Sequence, residues 1–177
     1  MDHNDHVFLL TKGVAERGGV WADLGSGAGA FTLALADLIG PQGRIYSVDK
    51  DRGSLNEQAR AMRARFPANH VEYMHADFTR SLDLPPLDGI VMANSLHFAR
   101  HKDPVLQLVR GYLRPGGRLL LVEYSTDRGN MWVPFPFSYN TWEALARQNG
   151  FTQTQLLATV PSRYFGGMYS AMSLRDG

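Results

Sequence analysis

Short apolar runs alternate with longer amphipathic stretches along the chain. The apolar run at residues 20–24 has the length of a strand that is buried on both faces. In residues 31–39 the apolar side chains recur at intervals of four and three residues, which predicts an amphipathic helix. The pair Gly40-Pro41 ends this helix, because glycine caps a helix well and proline cannot continue it.

The same alternation continues to the C-terminal end. A helical stripe runs from Leu55 to Phe66, Asp103-Pro104 makes a favourable helix start, and residues 142–148 are helical in pattern. The segment Pro115-Gly116-Gly117 predicts a turn. Seven strands are predicted, at residues 20–24, 44–48, 71–75, 89–93, 118–124, 151–160 and 163–174.

Alternating strands and helices predict an α/β fold. We expect a doubly wound, mainly parallel seven-stranded sheet with helices on both faces and an antiparallel C-terminal strand pair. The length suits a single domain over residues 1–177, with a short N-terminal helical segment at about residues 5–17. In such sheets ligands bind at the carboxyl ends of the strands, where the strand order reverses.

Composition removes several classes of function. The formal net charge is +1 and no dense basic run occurs, which argues against nucleic-acid binding. The chain has no cysteine, so disulfides, cysteine–zinc sites and thiolate nucleophiles are excluded. The spaced pairs His3/His6 and His97/His101 lack acidic partners, so no metal site is predicted. No apolar run approaches the ~18 residues of a membrane span, and we expect a cytoplasmic protein.

Glycines 25, 27 and 29 stand at alternate positions directly after the first strand, in A-D-L-G-S-G-A-G. Glycine lets a backbone come close to a ligand at a helix start. The stretch also satisfies the looser dinucleotide pattern G-x-G-x-x-G/A. Asp23 helps to separate the two interpretations, because a carboxylate there would repel a pyrophosphate and suit an ammonium group. S-adenosylmethionine carries an amine and a cationic sulfonium and has no phosphate.

These residues resemble the first motif of the class I S-adenosylmethionine-dependent methyltransferases of the small-molecule type. The resemblance runs from about residue 18 to residue 174 and includes R-I-Y-S-V-D-K-D, H-A-D-F and L-R-P-G-G-R-L-L-L-V-E-Y. It implies S-adenosylmethionine as cofactor and S-adenosylhomocysteine as product. It also implies a cofactor site made of Asp23, Gly25, Ser26, Gly27, Gly29, Asp49, Lys50, Asp77, Phe78 and Asn94.

The resemblance also implies roles for some of these residues. Asp49 would accept hydrogen bonds from the ribose hydroxyls, with Lys50 beside the adenine. Asp77 would lie near the adenine amine and Phe78 on its ring. A terminal acid such as Asp49 also suits nicotinamide cofactors, Asp77 could instead cap a turn, Phe78 could belong to the core, and Asn94 could be a strand-end residue without a ligand.

The stretch D-G-I-V-M-A-N-S-L-H-F resembles the family's fourth strand and places His97 near the expected methyl group. His97 is the best candidate for a general base, since imidazole exchanges protons near neutral pH; the alternative is a structural histidine that packs beside Phe98. Tyr124 is a second catalytic candidate. Strand alternation predicts that only one of Tyr124 and Glu123 faces the pocket. The segment at residues 131–137, M-W-V-P-F-P-F, covers the substrate or belongs to the core or a dimer surface.

The leading interpretation is therefore a methyltransferase that acts on a small, partly apolar molecule. A non-catalytic adenosyl-binding subunit and an NAD(P)-dependent oxidoreductase stay open as alternatives. We expect neither a membrane nor a nucleic acid as partner, and a homodimer is left open.

Overall fold

The computed structural model describes residues 1–177 and contains five α-helices and seven strands. The helices are α1 His3–Thr11, α2 Ala30–Ile39, α3 Arg52–Arg65, α4 Asp103–Tyr112 and α5 Tyr139–Gln148. The strands are β1 Val20–Leu24, β2 Arg44–Asp49, β3 His70–His75, β4 Leu87–Ala93, β5 Leu113–Tyr124, β6 Phe151–Ser162 and β7 Gly166–Arg175.

All seven strands join one sheet in the order β3-β2-β1-β4-β5-β7-β6. The five strands from β3 to β5 pair in parallel, and β7 pairs antiparallel with both β5 and β6. The predicted fold class is confirmed, including the antiparallel C-terminal pair. The strand order reverses between β1 and β4, so their carboxyl ends flank the crevice in which such sheets bind ligands.

The helices cover both faces of the sheet. Along β5 the side chains alternate, since Leu119 and Leu121 pack on the side of α4 and α5, whereas Leu120 and Val122 pack on the side of α1 and α2. Each face therefore has its own apolar core. No helix combines the length and the apolar character that crossing a membrane requires.

The turn predicted at residues 115–117 lies within β5 as a bulge. Leu113 pairs with Leu87, and the next paired residue of β5 is Arg118, opposite Gly89. Four residues of β5 therefore stand opposite one residue of β4. The proline and glycines are accommodated because a bulge leaves their backbone outside the regular ladder.

The N-terminal helix begins and ends earlier than the predicted residues 5–17. It begins after Asp2, whose side chain accepts from the Asp5 N–H while the Asp5 side chain accepts from the Asp2 N–H. After the helix, Gly13 packs so closely on the sheet that a Cβ there would overlap the Leu120 side chain. The absence of a side chain at Gly13 therefore lets the chain pass close to Leu120 of β5 just after α1.

Candidate functional site

The glycine loop, residues 25–29, joins β1 to α2 and is held against the end of β2. The N–H groups of Gly25 and Ser26 donate to the Val48 carbonyl oxygen over 2.8 and 3.1 Å. The Gly27 N–H donates to Asp49 Oδ2 over 2.7 Å. The loop glycines have φ angles of 78°, 54° and 91°, a region that residues with side chains rarely adopt.

The three glycines are required for different reasons. A Cβ at Gly27 would meet nothing and would project into open space. A Cβ at Gly25 would overlap Ser95, and one at Gly29 would overlap the Gln58 side chain. Packing within the protein therefore accounts for Gly25 and Gly29, whereas no protein atom requires a glycine at residue 27, which lines a cavity.

A cavity of about 470 Å³, the cofactor cavity, opens in the crevice beside the glycine loop. Seven of the ten residues predicted for the cofactor line it: Gly25, Gly27, Asp49, Lys50, Asp77, Phe78 and Asn94. Four residues that were not among those ten also line it: Ala76, Thr79, Ser95 and Phe98. Phe98 reaches the cavity because residues 96–98 form a 3₁₀ turn after β4, which a strand pattern does not predict.

The rim of the cofactor cavity carries two carboxylates whose orientations are fixed by hydrogen bonds. Asp49 accepts from the Gly27 N–H through Oδ2 and from the Asp51 N–H through Oδ1, over 2.7 and 2.8 Å. Asp77 Oδ1 accepts from the N–H and the hydroxyl of Thr79, and these bonds hold the pKa of Asp77 below its usual range. Asp77 Oδ2 has no partner and each Asp49 oxygen has accepted only one hydrogen bond, so both acids can accept more hydrogen bonds from a ligand.

Asp23 does not line the cofactor cavity, contrary to the predicted ligand contact. Its side chain is 1% exposed and lies on the α2 face of the sheet, where Oδ2 accepts from the Thr32 hydroxyl over 2.6 Å. Burial raises the pKa of Asp23 to about 7. Ser26 also points away, with its Oγ 2.8 Å from Ser47 Oγ. Both side chains lie beneath the loop because they continue on the α2 face of β1 rather than on its open end.

Asn94 directly follows β4 and lines two cavities. Its φ is 52°, and its Oδ1 atom is buried without a hydrogen-bond partner. A buried oxygen without a partner is costly unless a ligand or water completes it. Asn94 lines the cofactor cavity and also a neighbouring one, so its side chain stands where a cofactor and an acceptor would meet.

The second cavity, the acceptor cavity, has a volume of about 500 Å³ and shares Asn94 and Phe98 with the first. Both residues predicted for catalysis, His97 and Tyr124, line it. The remaining lining residues come from the segment after β5 and from the turn between β6 and β7: Asn130, Trp132, Val133 and Tyr164.

His97 is held by a buried carboxylate. Its Nδ1 lies 2.9 Å from Glu123 Oε2, and its backbone N–H donates to Glu123 Oε1 over 3.2 Å. His97 is 2% exposed and Glu123 is 0% exposed. The Glu123 carboxyl group fixes the orientation of the imidazole ring, and the other ring nitrogen, Nε2, has no hydrogen bond within the protein.

Tyr124 and Glu123 divide the end of β5 as strand alternation predicts. Tyr124 faces the acceptor cavity, whereas Glu123 acts on the cavity only through His97. The Tyr124 ring lies 5.4 Å from the Phe165 ring and 6.4 Å from the Tyr164 ring. Burial raises the pKa of Tyr124, so its hydroxyl keeps its proton at neutral pH.

The aromatic segment at residues 131–137 is divided between two environments. Trp132 and Val133 line the acceptor cavity, and Trp132 is 77% exposed. Phe137 is buried in the core beside Trp142. Phe137 therefore belongs to the core, whereas a substrate cover or a dimer surface stays a prediction for the exposed part of the segment.

A third cavity, of about 410 Å³, lies at the opposite end of the sheet. Three of its charged groups have partners within the protein: Asp88 accepts from the Val20 N–H and pairs with Arg114, and Arg118 donates to the Gly13 carbonyl oxygen. It is remote from the glycine loop and from His97, because it lies where the strands begin.

Comparison with known proteins places the chain in a family. The methyltransferase domain family matches residues 22–119. A reducing polyketide synthase, grgA, of a Penicillium species is 26% identical over 163 residues, which are 78% of this chain and 6% of that protein. The ubiquinone/menaquinone biosynthesis C-methyltransferase UbiE of Shewanella frigidimarina is 31% identical over 108 residues, which are 60% of this chain and 43% of that protein.

The chain thus spans less than half the length of these curated relatives. Among solved structures, an S-adenosylmethionine-dependent methyltransferase of Aquifex aeolicus superposes with a TM-score of 0.73 at 16% identity, over 99% of both chains. At that identity the likeness concerns the fold. With the family match over more than half of the sequence, these findings show that the chain belongs to the class I S-adenosylmethionine-dependent methyltransferases.

Proposed function

We propose that the protein transfers a methyl group from S-adenosylmethionine to an acidic carbon atom of a small, partly apolar acceptor. The observation that carries this proposal is the buried His97–Glu123 pair at the acceptor cavity, next to the cofactor cavity. The name of the UbiE relative, a C-methyltransferase, supports carbon as the acceptor atom. The family membership removes the oxidoreductase alternative.

The cofactor cavity fits an adenosyl cofactor. Gly27 leaves room where a Cβ would enter the cavity, Asn94 Oδ1 offers a buried oxygen without a partner, and the rim carries two acceptor carboxylates. Asp49 would hold the ribose hydroxyls and Asp77 with Phe78 the adenine. The bound cofactor supplies an electrophilic methyl group on a cationic sulfur, and the protein supplies position and electrostatics.

Transfer to carbon requires the removal of a proton from that carbon. His97 Nε2 is the free base, and Glu123 holds the ring in the required tautomer and stabilises the imidazolium that forms. Methylation of an amine or of an already ionised oxygen would not need so deeply buried an acid–base pair. The pair therefore favours an acceptor that becomes nucleophilic only after it loses a proton, and the C-methyltransferase relative favours carbon among such acceptors.

The walls of the acceptor cavity suit a partly apolar molecule. Phe98, Trp132 and Val133 provide apolar surface, and the Tyr124 hydroxyl provides a donor. Because this hydroxyl stays protonated at neutral pH, it can donate to a carbonyl oxygen beside the reacting carbon. An acceptor in which a carbonyl group acidifies the neighbouring C–H bond fits these features.

A panel of acceptors tests the proposal. The protein is incubated with S-adenosylmethionine that carries a deuterated methyl group, together with a β-keto thioester, a phenol or a primary amine. Mass spectrometry and NMR then locate the label. We expect label on the carbon between the two carbonyl groups, and loss of labelling in Glu123→Gln. Labelling of the phenol or the amine alone would contradict the proposal.

The same panel tests the non-catalytic alternative. Binding of the cofactor without labelling of any acceptor, even the β-keto thioester, would favour an adenosyl-binding subunit. Asp49→Ala serves as the control for cofactor binding. It removes the carboxylate that accepts a hydrogen bond from the Gly27 N–H and would accept others from the ribose hydroxyls. The cytoplasmic location stays a prediction of the sequence, and a homodimer stays open.

A further inference from the structure

A group of polar side chains, the loop cluster, lies beneath the glycine loop and outside both cavities. Burying polar groups is costly unless hydrogen bonds satisfy them, so this group calls for a physical reason. Four of its five members are almost wholly buried, and the fifth belongs to the loop itself. The members are Asp23, Thr32, Ser47 and Gln58, with Ser26.

Gln58 of α3 stands at the centre of the loop cluster. Its Nε2 donates to Thr32 Oγ1 over 2.9 Å, and the Thr32 hydroxyl in turn donates to Asp23. Its Oε1 accepts from the Ser47 hydroxyl over 2.5 Å. Gln58 thus joins two halves of the cluster, because an amide offers a donor and an acceptor on one side chain.

Gln58 supports both ends of the loop, one through Ser47 and the other by direct packing. At one end, Ser47 Oγ lies 2.8 Å from Ser26 Oγ. At the other end, Gly29 packs directly on the stem of Gln58, so closely that a Cβ would overlap its Cγ. Gly27, whose N–H meets Asp49 at the cofactor cavity, lies between these two supports.

We propose that Gln58 is a positioning residue for cofactor binding: it fixes the Ser26–Gly29 backbone without touching the cofactor. The inference rests on the proposed binding of S-adenosylmethionine at this loop. A site that recognises its ligand through backbone groups needs that backbone in one position, and a loose support lowers affinity. No feature of the glycine motif itself indicates this dependence on a residue 29 positions after Gly29.

Gln58→Met tests the proposal, because methionine keeps the unbranched stem against Gly29 and removes both hydrogen bonds. Two quantities are measured: the Kd values of S-adenosylmethionine and S-adenosylhomocysteine by calorimetry, and amide hydrogen exchange of the ligand-free protein. We expect Kd values about tenfold higher and faster exchange confined to residues 25–33. Met62→Ala is the control, since Met62 is a buried residue of the same helix outside the loop cluster. It should lower Tm and leave both quantities unchanged.

Thr32→Val provides a second variant that keeps the shape and removes one hydroxyl. It should weaken cofactor binding as well. The double variant should bind the cofactor about as well as Gln58→Met alone, because both substitutions break the same Gln58–Thr32 hydrogen bond. Additive losses, or wild-type Kd values in Gln58→Met, would overturn the proposal. If the wild-type protein bound neither ligand, the proposed function would fail, and exchange at residues 25–33 would still decide whether Gln58 positions the loop.

Discussion

The two cavities of the site differ in how firmly their lining residues are held by the rest of the protein. The glycine loop beside the cofactor cavity is fixed by hydrogen bonds from its N–H groups to the Val48 carbonyl oxygen and the Asp49 carboxylate of β2. The acceptor cavity rests on side chains that reach it from distant parts of the chain, and three of them, Phe98, Trp132 and Tyr164, are 59%, 77% and 65% exposed. A fixed frame suits a cofactor of constant shape, whereas exposed walls can change with the acceptor.

His97 and Glu123 are the exception within the acceptor cavity. They are buried, and they follow β4 and end β5, two adjacent strands of the parallel sheet. Under the proposed function, the buried part of the fold carries the chemistry and the exposed part selects the acceptor. Variants can separate these two contributions.

The largest effect is expected at His97. His97→Gln removes the basic nitrogen, so kcat should fall about 1,000-fold, while the Kd of S-adenosylmethionine stays as in the wild type. Steady-state kinetics and calorimetry measure the two quantities. His101→Gln is the matched control, an exposed histidine four residues away that should have no effect. Wild-type turnover in His97→Gln would show that the acceptor needs no base from this residue.

The second largest effect is expected at the buried Asp23 beneath the glycine loop, where the free energy of unfolding should depend on pH. The pKa of Asp23 is about 7 in the folded protein and about 3.9 in an unfolded chain. The unfolded chain releases this proton first, so the free energy of unfolding should fall as pH rises from about 4 to about 7, by about 4 kcal/mol at most. Asp23→Asn removes this dependence and keeps an oxygen that accepts from Thr32.

Urea unfolding at a series of pH values measures the difference between the wild-type protein and Asp23→Asn. The wild type should lose stability relative to the variant up to pH 7, and the difference should stay constant above it. Asp83→Asn, an exposed acid, is the control and should follow the wild type. A wild-type protein that loses stability relative to Asp23→Asn as pH falls would show that burial does not raise the pKa of Asp23.

The third effect compares two glycines of one loop. Both have positive φ angles, 54° at Gly27 and 91° at Gly29, so alanine is strained at either position. Gly29→Ala also forces a Cβ into Gln58 and should lower the free energy of unfolding by about 3 kcal/mol. Gly27→Ala projects into the cavity, so it should destabilise less and weaken cofactor binding more. Denaturant unfolding measures the stability of both variants, and calorimetry measures their cofactor binding. Equal losses of stability would contradict the distinction between Gly29, which packs on Gln58, and Gly27, which lines the cavity.

The sequence predicted which residues lie near the cofactor cavity better than it predicted where their side chains point. Asp49 and Asp77 were predicted at the cofactor from the resemblance of R-I-Y-S-V-D-K-D and H-A-D-F to the family's motifs. Both line the cofactor cavity, because the carboxyl ends of parallel strands meet at one edge of the sheet. That Asp23 and Ser26 point beneath the loop depends on the phase of the strand pleat, which a motif does not specify. That Gly29 accommodates Gln58 depends on how α3 packs, which no local pattern contains.

The acceptor side was less predictable for a related reason. His97 was identified by its place after the fourth strand, but its pairing with Glu123 joins residues 26 positions apart. Phe98 enters the site through a 3₁₀ turn that follows the left-handed Asn94. Strand and helix periodicities carry no information on such a turn, so its contact with the cofactor cavity became visible only in the structure.

The smallest effect is expected at the exposed wall. Trp132→Ala removes apolar surface from the acceptor cavity and leaves the backbone frame untouched, so KM for the acceptor should rise about tenfold with kcat and the Kd of S-adenosylmethionine unchanged. Met131→Ala is the matched control, because Met131 is 86% exposed and does not line the cavity. Steady-state kinetics with the β-keto thioester measures both variants. A fall in kcat at constant KM would mean that Trp132 helps to orient the reacting carbon, and the wall would then belong to the rigid part of the site.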